Sequence, residues 1–127
     1  MKDAPKMNEM VLSGRRIIIV EDDYYQAHDC KEMLEQAGAS VILVSAVVPD
    51  LAALAAKGRI DGALIDINLG QGLSFDFARL LRERGIPFVF LTGYDAAILP
   101  EDLADATCIS KPAHRSRVLA LLANRPA

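Results

Sequence analysis

The chain has 127 residues, of which 52% are apolar and 24% are charged, and its net charge is -3 at neutral pH. This length suits one domain with its own core, and the composition excludes a disordered or low-complexity protein. A chain with a net negative charge does not have the broad positive potential that attracts nucleic acid. No apolar run approaches the roughly 20 residues that cross a bilayer. The two cysteines have no metal-ligand spacing. We therefore expect a cytoplasmic domain that binds neither nucleic acid nor membrane.

The two ends of the chain differ in pattern from its middle. Residues 1–14 are polar, contain Pro5 and Gly14 and show no sustained period. This pattern predicts a flexible N-terminal leader, residues 1–14, ahead of one domain over residues 15–127. Only residues 125–127 follow the last predicted helix, so we expect no output domain after it.

Short apolar runs recur along the domain. Four of them have the length of a strand, and a fifth candidate is weaker: residues 17–20, 41–44, 63–67, 88–91 and, last, 107–110. A continuous apolar run indicates a strand that is covered on both faces, as in a parallel sheet.

Amphipathic stretches lie between these runs. Asp23, with Gln26 three residues later, predicts the start of a helix that Gly38 ends. Pro49 is predicted to open a short alanine-rich helix that Gly58 closes. Each helix would connect two consecutive strands.

Three more helices are predicted in the second half. Ser74 opens one that ends at Gly85, with Phe77, Leu80 and Leu81 facing inward. A brief helix begins near Pro100, and the last one follows Pro112 with Val118, Leu121 and Leu122 on one face. Strict alternation of strands and helices predicts an α/β, flavodoxin-like, doubly wound five-stranded parallel sheet with helices on both faces.

Polar residues follow four of the five predicted strands. Glu21 and Asp22 follow the first, Asp66 ends the third, Thr92 ends the fourth, and Lys111 follows the fifth. The carboxyl ends of parallel strands meet at one edge of the sheet, so these side chains are expected to converge. Converging carboxylates repel one another unless a hard divalent cation lies among them. The sequence therefore predicts a Mg2+ site.

These residues together fit the chemistry of an aspartyl phosphate. Asp66 can act as the nucleophile toward phosphorus, while Thr92 and Lys111 bind the oxygens of the transferred group. Each residue alone has a more ordinary interpretation, such as a helix cap or a solvated lysine, and only their order and spacing favour this one. Two interpretations are open for Tyr24 and Tyr25, near the same edge: packing against the border of the core, which we expect, and contact with a partner protein.

In this order, the residues resemble the receiver domain (CheY-like) of bacterial two-component response regulators, over about residues 16–124. The matching segments are Ile19-Val20-Glu21-Asp22, Ala63-Leu64-Ile65-Asp66, Leu91-Thr92-Gly93 and Ser110-Lys111-Pro112. The resemblance implies that Asp22 binds the metal directly and Glu21 through water, and that the backbone carbonyl of Asn68 completes the shell. It also implies a cis peptide bond after Lys111.

Two positions depart from the usual receiver pattern. The loop after Asp66 lacks the common proline, and Cys108 stands where most receivers have a switching tyrosine or phenylalanine. Residues 87–94 resemble instead the FATGUY subgroup of single-domain receivers, with Leu91 in place of the signature alanine. We hypothesise that Tyr94 or residues 95–106 transmit the conformational change.

The resemblance implies a single-domain response regulator of a two-component or phosphorelay system. It would accept a phosphoryl group from phosphohistidine on a sensor histidine kinase or histidine phosphotransfer protein, hydrolyse it slowly, and signal to a downstream protein by contact. It would not be an enzyme with a separate substrate. A haloacid-dehalogenase phosphatase would need a second acid two residues after Asp66, where Asn68 stands. A phosphate-independent pseudo-receiver that only binds partners stays open as the alternative.

Overall fold

The computed structural model describes residues 11–69, 72–93, 99–111 and 115–123. The strands are β1 (Arg16–Val20), β2 (Ser40–Ser45), β3 (Gly62–Asp66), β4 (Asn68–Leu69), β5 (Gly72–Leu73), β6 (Phe88–Thr92) and β7 (Cys108–Ser110). The helices are α1 (Tyr24–Gln36), α2 (Leu51–Ala56), α3 (Phe75–Glu83) and α4 (Arg115–Ala123), and a 3-10 helix covers Glu101–Leu103.

Five strands form one parallel sheet in the order β2-β1-β3-β6-β7. The chain crosses to β2 after β1 and then returns to place β3 on the other side of β1, so the order reverses there. The carboxyl ends of β1 and β3 are therefore neighbours. This topology confirms the predicted doubly wound sheet and brings the residues that follow these strands to one edge.

Alternating residues of the central strands pack into two separate cores, one on each face of the sheet. Ile17 and Ile19 pack on one face with α1 and α4, whereas Ile18 and Val20 pack on the other with α2 and α3. All four side chains have no exposed surface. Burial on both faces explains why the strand reads as a continuous apolar run, as predicted.

The first two helices begin at aspartate caps. Asp23 Oδ1 accepts a hydrogen bond from the Gln26 amide at 3.0 Å, which confirms the predicted start of α1. The prediction that Pro49 opens α2 is wrong, because Asp50 is the cap and accepts from the Ala53 amide at 3.1 Å. A capping carboxylate satisfies one of the free amides of the first turn, which a proline cannot do.

The third helix departs from its prediction on its inner face. Leu80 was expected to face inward, but its side chain is 47% exposed, and the buried positions of α3 are Phe77, Ala78 and Leu81. The helix turns 100° per residue, so Phe77, Ala78 and Leu81 share an arc of about 100° around its axis, and Leu80 lies outside that arc. The brief helix predicted near Pro100 is the single 3-10 turn.

A two-stranded antiparallel hairpin, which the sequence analysis did not predict, follows the end of β3. Asn68 pairs with Leu73 and Leu69 pairs with Gly72. The hairpin lies between Asp66 and α3, where a plain loop was expected.

The residues before β1 contact the body of the domain. Leu12 is fully buried in the core that α1 and α4 share, and its amide donates to the Ala37 carbonyl at 2.9 Å. Arg15 donates from its guanidinium to the carbonyls of Leu122 and Ala123 at the end of α4. Leu12 therefore packs with the domain and not in a flexible leader. Residues 1–10 lie outside the described residues, and their assignment to a leader stays a prediction.

No helix in the described part of the chain is long and apolar enough to cross a membrane. Two expectations fall on residues that the structure does not describe: the cis peptide bond between Lys111 and Pro112, and the role of Tyr94 in transmission.

Candidate phosphorylation site

Three acidic side chains meet at the carboxyl edge of the sheet. Glu21 and Asp22 follow β1 directly, Asp66 is the last residue of β3, and one carboxylate oxygen from each lies within 4.8 Å of the others. Glu21 is 2% exposed and Asp66 is 4% exposed, whereas Asp22 faces solvent. The strand order reversal brings together acids that are 45 residues apart in the chain.

Lys111 joins two of these acids. Its Nζ lies 2.9 Å from Glu21 Oε1 and 3.1 Å from Asp66 Oδ2. The Lys111 amide donates to the Thr92 carbonyl at 2.9 Å, which fixes the lysine beside the end of β6. Burial lowers the pKa of Lys111, but the contacts with the two carboxylates outweigh it and raise the pKa overall. The lysine is therefore a cation at neutral pH.

Glu21 is the most constrained of the acids. Its backbone amide donates to the Ser45 carbonyl at 2.9 Å, and its Oε2 accepts from the Asp23 amide at 3.0 Å. Its Oε1 makes the ion pair with Lys111 but has no well-directed hydrogen bond in the described structure. Burial raises the pKa of Glu21, and the neighbouring Asp66 adds to this rise. The site therefore holds a carboxylate at an electrostatic cost.

The backbone around Asp66 is tied by two side-chain contacts. Asp66 Oδ1 accepts a hydrogen bond from the Asn68 amide at 3.0 Å. The Ser74 hydroxyl donates to the Asp66 carbonyl at 2.8 Å and lies 3.2 Å from the Ile67 carbonyl. Sequence reasoning assigned Ser74 only to the start of a helix, and no motif in the sequence marks it as a neighbour of Asp66.

Thr92 lies at the end of β6, paired with Ser110 of β7, and is 3% exposed. The structure thus places Thr92 and Lys111 on adjacent strand ends, next to the end of β3 that carries Asp66. Asn68 is exposed at the start of the hairpin.

The donor set suits a small hard cation. Three carboxylates lie near one ammonium group, so their negative charges are only partly compensated. Their oxygen atoms are also the ligands that Mg2+ prefers. A divalent cation among them would also relieve the repulsion from Asp66, which adds to the effect of burial in raising the pKa of Glu21.

Two aromatic side chains stand beside this edge. Tyr24 is 75% exposed and Tyr25 is 77% exposed, and their rings contact each other edge to face at 5.4 Å between centroids. The expectation that they pack against the core is wrong, because both side chains are mostly exposed. Cys108 is partly buried in β7 opposite Phe90, and burial raises the pKa of its thiol.

The family profile described as the response regulator receiver domain matches residues 17–123. The chain belongs to this family. The receiver is a signalling domain and not a classical enzyme, so the family match leaves the phosphatase alternative without support. No curated protein sequence matches the chain with statistical significance.

Solved receiver structures are similar over most of the chain. SdrG from Sphingomonas melonis Fr1 is 32% identical, with 86% of this chain and 93% of SdrG covered and a TM-score of 0.72. The response regulator PhyR from Brucella abortus is 25% identical, with a TM-score of 0.71. That alignment covers 94% of this chain and 51% of PhyR, so this receiver spans about half of PhyR's length. The receiver domain of Erythrobacter litoralis PhyR, 20% identical with a TM-score of 0.74, shares the fold over 91% of this chain and 97% of its own.

Proposed function

We propose that the protein is a single-domain response regulator that accepts a phosphoryl group on Asp66. The observation that carries the proposal is the position of Lys111 Nζ between Glu21 Oε1 and Asp66 Oδ2, at 2.9 and 3.1 Å. A cation held against a buried carboxylate can bind an oxygen of an incoming phosphoryl group as negative charge spreads over it. A module that only binds partners has no need of this arrangement.

The proposed transfer uses the residues at the carboxyl edge. An Asp66 carboxylate oxygen attacks the phosphorus of a phosphohistidine, an O–P bond forms, and the P–N bond breaks with its electron pair returning to the imidazole. Thr92 and Lys111 bind oxygens of the transferred group. Attack by water on the acyl phosphate later releases inorganic phosphate and restores Asp66.

Mg2+ is the proposed cofactor, held by Asp22 and Asp66 directly, by Glu21 through water and by the backbone carbonyl of Asn68. When bound, it neutralises charge on the phosphoryl oxygens. The acidic cluster and the raised pKa of Glu21 support this assignment.

The proposed donors are a sensor histidine kinase or a histidine phosphotransfer protein in the cytoplasm. Tyr24 and Tyr25 support a protein partner, because most of the surface of both tyrosines is exposed near the acidic cluster and can contact another protein. We propose membership in the FATGUY subgroup from residues 87–94, with output by protein contacts. Cys108, a small residue in β7, stands where most receivers have a switching aromatic residue. We therefore propose that the conformational change does not depend on an aromatic side chain at this position.

The experiment compares NMR spectra with beryllium fluoride, which mimics the phosphoryl group, in the presence and absence of Mg2+. The wild type and Asp29→Asn, an exposed aspartate on α1, are expected to show the same Mg2+-dependent shifts around Asp66, Thr92 and Lys111. Asp66→Asn should show none. The absence of any response in the wild type would contradict phosphorylation and favour the pseudo-receiver.

A further inference from the structure

A buried hydroxyl lies directly behind the proposed phosphoacceptor. Ser74 is 1% exposed, and its Oγ contacts two successive backbone carbonyls, those of Asp66 at 2.8 Å and of Ile67 at 3.2 Å. Its amide also donates to the Ile67 carbonyl, at 3.1 Å. Although Ser74 precedes α3, its side chain makes no capping hydrogen bond with the helix. The hydroxyl therefore bonds to the backbone at the end of β3 and not to the helix.

These contacts close the loop that carries the unpredicted hairpin. Ile67 and Ser74 are joined by both the backbone and the side chain of Ser74, and Asn68 and Leu73 pair between them. With the turn held this way, the Asn68 amide points at Asp66 Oδ1 and donates to it at 3.0 Å. The orientation of the carboxylate thus depends on a backbone that Ser74 holds.

We infer that Ser74 is a positioning residue, which sets the orientation of the Asp66 carboxylate and of the Asn68 backbone. The inference rests on the proposed function, since it concerns the group that would accept phosphate. A productive site needs its reacting groups held to within a fraction of an ångström by neighbours that do not themselves react. Ser74 meets this description because it touches the acceptor's backbone and not its carboxylate.

The test compares Ser74→Ala with the wild type and with Ile86→Val. Ile86 is 9% exposed and lies before the amino end of β6, at the opposite end of the sheet from Asp66. Its shortening lowers stability without touching the acceptor loop. Ser74→Cys, which keeps the shape but has a weak donor, serves as a second removal of the hydrogen bond if the alanine variant does not fold.

Two quantities are measured at fixed pH: the NMR shift and hydrogen exchange of the Asn68 amide, and the dissociation constants for Mg2+ and for beryllium fluoride. In the Ser74 variants the Asn68 amide should move upfield and exchange faster. Both dissociation constants should rise about three- to tenfold, as the loss of one hydrogen bond predicts. Ile86→Val should change neither quantity.

The outcomes separate the two claims. If the wild type responds to beryllium fluoride with Mg2+ and a folded Ser74 variant matches it in both quantities, the inference is overturned while the proposed function stands. If the wild type does not respond, the proposed function fails and the inference fails with it.

Discussion

Replacement of Glu21 by glutamine should stabilise the metal-free protein and reduce the stabilisation that Mg2+ provides. The substitution removes one buried negative charge and keeps the size of the side chain. Its amide oxygen can still accept the hydrogen bond that Asp23 donates to Oε2 at 3.0 Å, although its NH2 group then replaces the oxygen that pairs with Lys111. It also reduces the repulsion between Glu21 and Asp66, which contributes to the raised pKa of Glu21.

The expected magnitude follows from the surroundings of Glu21. A buried polar group without a good hydrogen bond costs about 1–3 kcal/mol, and Oε1 has only its ion pair with Lys111. Because that pair offsets part of the cost, we expect Glu21→Gln to stabilise the metal-free protein by about 1 kcal/mol, the low end of this range. For a domain of this size, that gain raises Tm by about 3–5 °C.

The pH dependence has a definite sign. The pKa of Glu21 in the fold lies above its ordinary value of 4.5. The stability that Glu21 contributes is therefore complete below 4.5 and is lost as pH rises through the higher pKa of the folded state. The advantage of Glu21→Gln should accordingly be full at neutral pH and should shrink as the pH is lowered toward 4.5.

The assay is thermal unfolding followed by circular dichroism, with a chelator or with excess Mg2+. At about 100 times its dissociation constant, Mg2+ should stabilise the wild type by about 2.7 kcal/mol, and the variant by less. Glu35→Gln removes the same charge from an exposed residue near the end of α1, away from the site. This control should neither raise Tm in chelator nor reduce the stabilisation by Mg2+. If Glu21→Gln melts below the wild type in chelator, the ion pair with Lys111 outweighs the cost of burial and the reasoning is refuted.

Two further substitutions test contacts at the other end of the sheet. Asp61, which is 1% exposed, accepts from the Arg16 amide at 2.8 Å and from Arg59 Nε at 2.8 Å. Asp61→Asn should lower the free energy of unfolding in urea by about 1–3 kcal/mol, and a loss below about 0.5 kcal/mol would mean that this network is not stabilising. Leu12→Ala should cost about 2–4 kcal/mol because the side chain is fully buried. Deletion of residues 1–10 should change the same measurement by less than about 0.5 kcal/mol, and a larger loss would move the domain boundary toward the N-terminus.

Local signals explain why most of the fold was predictable. β1 lies between two layers of helices, so its residues are apolar on both faces. This continuous apolar run is enough to indicate a central parallel strand. The start of α1 is equally local, since Asp23 and the Gln26 amide that it caps are three residues apart. The convergence of the acidic residues could be predicted from the sequence, because the carboxyl ends of parallel strands lie at the same edge of a sheet.

The features that were missed depend on contacts that no periodic pattern or short motif in the sequence indicates. Ser74 satisfies the rules for a helix cap, yet its hydroxyl bonds to carbonyls seven and eight residues earlier. A hairpin of two-residue strands gives almost no periodic signal, although a two-residue connection containing glycine, as at Gly70-Gln71, is typical of one. The exposure of Tyr24 depends on how α1 packs on the sheet, which no local pattern encodes.

The most direct test of the central claim is whether Asp66 carries a phosphoryl group. Intact mass spectrometry after incubation with acetyl phosphate and Mg2+ should show the addition of one phosphoryl group, which hydroxylamine removes as expected for an acyl phosphate. The added mass should be absent in chelator and in Asp66→Asn, and present in Asp29→Asn. A phosphoryl group that persists in Asp66→Asn, or a wild type that gains none, would contradict the account.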